Sequence, residues 1–129
     1  MKIGAAALGF SLIAACAASA KQPGDRAGRA ERLLAGKVAG KPLSCVSLRG
    51  LEGNSSLPDG RVLFETRGSL VYVNRTRDSC PSLDFGRALR TDSRTGLLCS
   101  GDVVTVFDPQ TGAGHGGCSL GAFIPYRRR

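Results

Sequence analysis

The residues in this chain best equipped for chemistry are five cysteines and a single histidine. Cys45, Cys80, Cys99 and Cys118 lie far apart, with no Cys-x-x-Cys pair among them. Structural zinc sites draw on close pairs, so the spacing points away from a metal centre. An even set of separated cysteines in a small chain points to disulfides made in an oxidising compartment. His115 stands alone in a glycine-rich run, Gly112-Ala113-Gly114-His115-Gly116-Gly117-Cys118. A lone imidazole supplies neither a triad nor a His-rich metal site. Asp102 and Asp108 bracket one apolar run and Glu65 ends another, positions where a paired-carboxylate hydrolase could hold its acid and base. Aspartates so placed more commonly cap turns. A Gly-x-Ser-x-Gly elbow is missing. So are the Lys-Ser or Lys-Thr that would follow a phosphate loop and the spaced aspartates of a calcium loop around Asp59. The chain therefore reads as non-enzymatic, with no catalytic residue, cofactor or metal assigned.

Cys16 is the odd cysteine and marks the end of an apolar leader. Met1-Lys2 gives a minimal positive start and residues 3–15 are almost wholly apolar. That is too short to span a bilayer, which takes ~20 apolar residues, and suits a secretory signal. Ile13-Ala14-Ala15-Cys16 resembles a bacterial lipobox, making 1–15 the signal and Cys16 the lipidated terminus. Ala18-Ser19-Ala20 offers an ordinary cleavage site, with the signal over 1–20. Ala17, not aspartate, follows Cys16, which favours an outer-membrane lipoprotein facing the periplasm; the alternative is a soluble periplasmic or secreted protein. Either cleavage leaves four cysteines.

The formal charge is +8, with fourteen arginines against four lysines. Such a balance suits an anionic partner. An exported protein seldom meets nucleic acid, so the partner class is an anionic envelope glycan, lipid or protein. The basic residues are spread along the chain except for Arg127-Arg128-Arg129, the candidate anion-binding cluster. There is no Trp, and only two Tyr and five Phe, so the aromatic core is sparse. Each disulfide would add ~2–4 kcal/mol against a total stability of ~5–15 kcal/mol.

The elements that must position these residues are short. Residues 16–42 read as a lipidated tether and a short helix over 26–35, capped by Asp25 and stopped at Gly36. From 43 the pattern turns to brief apolar runs between turn residues. Strands are expected over 43–48, 61–66, 69–74, 88–91, 102–107 and 119–124, the last ended by Pro125. Leu57-Pro58-Asp59-Gly60 is a turn, and Arg67-Gly68 joins two strong β runs as a hairpin. The expected fold is all-β, a small antiparallel barrel or sandwich of about six short strands, disulfide-stapled, over 43–126, with 127–129 a basic tail. Three connectivities are open to the cysteines. Terminal strands of small barrels often lie side by side, which favours Cys45 with Cys118 and Cys80 with Cys99. Asn54-Ser55-Ser56 and Asn74-Arg75-Thr76 match glycosylation sequons that mean little in a bacterial lipoprotein.

An ordered set of segments carries a family likeness. Cys45-Val46-Ser47-Leu48-Arg49, Val62-Leu63-Phe64-Glu65, Val71-Tyr72-Val73-Asn74 and Cys80-Pro81-Ser82-Leu83 are followed by Leu98-Cys99-Ser100-Gly101-Asp102 and Cys118-Ser119-Leu120-Gly121-Ala122-Phe123-Ile124-Pro125. The set, over about 33–125, resembles a family of small exported bacterial proteins known only as a domain of unknown function. The resemblance implies export and a four-cysteine β domain, and no activity. The expected role is a non-enzymatic binding or structural module of the envelope; the alternative is a periplasmic hydrolase inhibitor.

Overall fold

A computed structural model describes residues 23–57, 59–78 and 80–129. The signal over 1–15, its alternative over 1–20 and the lipidation site Cys16 lie outside the described residues. The first described element is α1 (Pro23–Leu34). It starts before Asp25, so that residue stands in its first turn instead of capping it. The helix stops ahead of Gly36, whose φ of +71° a glycine adopts at little cost.

Ten strands follow among the described residues, where about six were expected. They are β1 (Lys37–Ala39), β2 (Cys45–Ser47), β3 (Leu51–Ser56), β4 (Arg61–Thr66), β5 (Val71–Arg75), β6 (Ala88–Arg90), β7 (Leu97–Cys99), β8 (Val103–Phe107), β9 (Gly114–Ser119) and β10 (Phe123–Arg128). All pair antiparallel, in a five-stranded sheet of order β1-β10-β5-β4-β3, a pair β2-β7, and a three-stranded sheet β6-β8-β9. The architecture is sandwich-like and mostly β, and the described strands do not close into a barrel.

β4 explains the layering. Val62, Leu63 and Phe64 are all at most 1% exposed, because the strand is covered on both faces. Alternation sends Val62 and Phe64 one way and Leu63 the other. Val62 and Phe64 meet Leu89, Leu98, Val106 and Phe123 in the main core, between the large sheet and the two small ones. Leu63, Val71 and Val73 are instead covered by Ala30, Leu33 and Leu34 of α1. Fully burying a Leu- or Val-sized side chain contributes ~1.5–3 kcal/mol, so this contact holds a helix too short to persist alone. The β4–β5 hairpin is present, with Phe64 opposite Tyr72 and Arg61 opposite Arg75.

Two strands have no apolar pattern to announce them. β3 reads Leu-Glu-Gly-Asn-Ser-Ser and is held by its polar side chains. Asn54 Nδ2 donates to the Leu89 carbonyl and Asn54 Oδ1 accepts from the Leu89 N–H, both at 2.9 Å, and the Ser56 hydroxyl donates to the Arg87 carbonyl at 2.8 Å. Asn74, fully buried, grips Gly121 in the same way, donating to its carbonyl at 2.8 Å and accepting from its N–H at 2.9 Å. A Cβ on Gly121 would lie 2.2 Å from the Arg75 carbonyl oxygen, so only glycine lets that turn come so close. Both sequon asparagines thus have their amides committed to backbone. The second unannounced strand is β9, whose glycine-rich run carries no apolar alternation.

The expected strand over 119–124 divides into the end of β9 and the start of β10. Pro125 does not end it. It sits within β10 just past the β1 ladder, where Gly40 N–H donates to its carbonyl at 2.7 Å and its missing N–H faces the sheet margin, away from β5. The sheet also exceeds 43–126: β1 precedes it, and Arg127 and Arg128 continue β10 instead of forming a tail. The first expected strand is shorter than 43–48 as well, because Leu48–Gly50 turn into a 3-10 helix.

The expected disulfides are corrected. Cys45 bonds Cys99, and Cys80 bonds Cys118. The expectation put Cys118 on the last strand beside the first. The segments holding Leu43 and Phe123 do lie side by side, but Cys118 belongs to the preceding strand β9. Cys45 instead stands directly opposite Cys99 across β2 and β7. The links span 54 and 38 residues of sequence. Each is worth roughly 4 kcal/mol in the chain-entropy picture.

Candidate anion-binding edge

Among the described residues, the carboxylates and the histidine with catalytic potential are structurally occupied or isolated. Asp102 Oδ2 accepts the Cys99 N–H at 2.8 Å and Asp108 Oδ1 accepts the Gln110 N–H at 2.8 Å, so both cap turns. Glu65 pairs with Arg29 at 2.7 Å. His115 is half-buried in β9, at a bulge opposite β8, beside Gly116 with φ of +83°. No group of three potential metal ligands gathers among the described residues. A groove of about 500 Å³ runs between α1 and the 57–61 turn, lined by Ala30, Glu31, Leu34, Leu57, Asp59 and Arg61. It brings no nucleophile next to a base.

The basic cluster has a defined place. β1 is the outermost strand of the large sheet, and its register sets Lys37 opposite Arg128 and Val38 opposite Arg127. Downstream the segment is fastened by reciprocal bonds between Leu43 and Phe123, at 2.8 and 2.9 Å. A Cβ on Gly40 would sit 3.1 Å from the Pro125 ring, so the bare glycine permits this close approach. The Gly40–Pro125 bond fixes the phase of the ladder. Gly40 and Val38 turn their backbone groups toward β10, which makes Lys37 and Arg128 a non-hydrogen-bonded pair about 4.5 Å apart at Cα. Opposite residues share a face, so two cations lie directly side by side, an arrangement that destabilises a sheet.

Partial relief comes from within. Lys37 Nζ donates to the Leu33 carbonyl at 2.5 Å, at the C-terminal end of α1 where the helix dipole favours a cation. Arg127 and Arg128 are exposed, and Arg129 follows them into solvent. The ion pairs Arg29–Glu65, Arg61–Asp59 and Arg67–Glu52 lie elsewhere. Among the described residues no carboxylate pairs with Lys37, Arg127 or Arg128.

A second like-charge pair shows the contrast. Arg61 and Arg75 face each other across β4 and β5. Asp59 answers them: its Oδ2 accepts from Arg61 Nε at 2.7 Å and its backbone carbonyl accepts from Arg75 Nη1 at 3.3 Å. Burial raises the Asp59 carboxyl, but hydrogen bonds from the Arg61 side chain and backbone, with the charges of Arg61 and Arg75, outweigh it and hold it below the usual 3.8.

Of the sequence-derived site residues, Arg128 comes directly opposite Lys37, which the sequence does not single out; Arg127 stands opposite Val38 on the other face, and Arg129 follows the end of β10. The Lys37 run, Lys-Val-Ala, is too short for an alternation signal. The model of the DUF6491 family, described as a family of unknown function, matches residues 1–120. Neither the curated proteins nor the solved structures contain a match.

Proposed function

The chain belongs to DUF6491, a family of unknown function, and from that premise we propose that it is a non-catalytic binding module of the bacterial envelope. It is exported, tethered through a lipid on Cys16 at the periplasmic face of the outer membrane, and holds an anionic envelope component at Lys37 and Arg128, with Arg127 adding positive charge on the other face of the same edge. The observation that carries this reading is the cross-strand pairing of Lys37 with Arg128, with no carboxylate to neutralise it among the described residues. A bound anion removes the repulsion at that pair, so binding and sheet stability reinforce each other. Two disulfides support an oxidising compartment.

The test is cosedimentation of unlipidated protein, Cys16→Ala, with vesicles containing phosphatidylglycerol. Retention is expected on anionic but not neutral vesicles, and is expected to fall with added salt as exposed charges are screened. Replacing Arg127, Arg128 and Arg129 together by Ala should abolish it. Equal retention on neutral vesicles, or no loss in the triple variant, removes the reading.

A further inference from the structure

We propose that β1 is the docking edge for an extended acidic segment of a partner protein, which adds beside it as a sixth strand of the large sheet. This rests on the anion-binding reading above and names the partner's chemistry. With Gly40 and Val38 turned toward β10, the antiparallel alternation turns the N–H and C=O of Lys37 and Ala39 away from the sheet. That edge is open, since every residue over 38–45 is exposed. Val38 and Leu43, at 43% and 38% exposure, are two of the large apolar side chains that the described surface leaves uncovered.

The faces of the edge specify the occupant. Lys37 and Arg128 share one face, and Val38 lies on the other with Arg127 opposite it on β10. On β1 itself, the strand that an incoming segment would touch, Lys37 stands on one face and Val38 on the other, with Arg128 and Arg127 one strand further in, so the matching segment alternates acidic and apolar residues. A second copy of this chain fits less well: antiparallel pairing of β1 with β1 about Val38 sets each Lys37 opposite the other copy's Ala39 and puts the cations of both edges on one face with no anion between them. Only two residues of β1 offer outward backbone groups, so charge carries much of the affinity and the complex is weak and salt-sensitive.

The probe is a short peptide alternating Glu with Val, compared with the same peptide N-methylated on alternate amides. N-methylation keeps the charge and removes the strand-forming donors. Binding to the unlipidated, oxidised protein is read by amide chemical shifts and hydrogen exchange. The plain peptide is expected to shift and protect the Lys37 and Ala39 amides, and the methylated one to bind roughly tenfold more weakly for each lost backbone bond. Ala39→Pro removes one outward donor without touching the inward ladder. It should weaken the plain peptide to a similar degree while leaving vesicle retention unchanged. Arg128→Glu should abolish both kinds of binding. Equal affinity for the two peptides in the wild type overturns strand addition whatever Ala39→Pro does to folding. Vesicle retention without peptide binding, or self-association at high concentration, also overturns it and leaves the anion-binding reading standing. Unaltered binding of both probes by Arg128→Glu overturns the two together.

Discussion

Arg61 faces Arg75 at one end of the large sheet, and Lys37 faces Arg128 at the other. The two pairs have the same chemistry and opposite surroundings. The first is tied into a turn that supplies Asp59, and Asn74 and Gly121 lock the next residue of β5 against the crossing chain. The second lies on an outer strand of three residues, with one helix carbonyl for relief. Self-contained charges of the first kind maintain a fold. Charges of the second kind leave a free-energy gain for whatever anion arrives.

The largest blow to this comparison falls on the locked end. Gly121→Ala drives a methyl into the Arg75 carbonyl, in a site where the backbone on both sides is fixed by Asn74. We expect a loss of about 3 kcal/mol or more, read as a lowered denaturant midpoint of the oxidised protein. A midpoint near wild type would mean that the end is looser than its hydrogen bonds imply.

Asp59→Asn strips the neutralising charge and makes the first pair resemble the second. The carboxylate is half-exposed, so solvent screening limits the expected loss to about 0.5 kcal/mol at pH 7. The pH dependence gives the finer test. The folded value lies below the usual 3.8, so the contribution of Asp59 is complete above that value and disappears as pH falls through the lowered one. Wild type and Asp59→Asn should differ by a constant amount near neutrality and converge in acid. A gap that widens as pH falls would contradict the assignment.

The smallest effect should come from the open end. Arg128→Glu turns a repulsive cross-strand pair into an attractive one, so melting should rise by about 1–2 °C. A gain in stability coupled to a loss of anion binding is the signature of a binding site. A drop in melting temperature would show that the pair is already compensated.

The sequence makes some of this legible and hides the rest for identifiable reasons. The β4–β5 hairpin and β8 could be read because their apolar runs and turn residues are local signals. β3 and β9 could not, because their stability comes from partners: Asn54 and Ser56 bond the next layer, and β9 borrows its register from β8. The set of four disulfide-forming cysteines is recognisable from its even number, whereas its pairing depends on which strand Cys118 occupies. The Arg127-Arg128-Arg129 run was visible as charge, yet its meaning depends on Lys37, ninety residues of chain away and brought opposite by the fold.

The two sulfur links are interleaved: in order along the chain, Cys45 and Cys80 both precede their native partners, Cys99 and Cys118. On the export route proposed above, with the amino end emerging first, Cys45 and Cys80 are the first two of these thiols to appear, and they must not join each other. An oxidase acting on thiols as they emerge would lock that wrong pair, and maturation would then fall to a thiol–disulfide isomerase able to undo it.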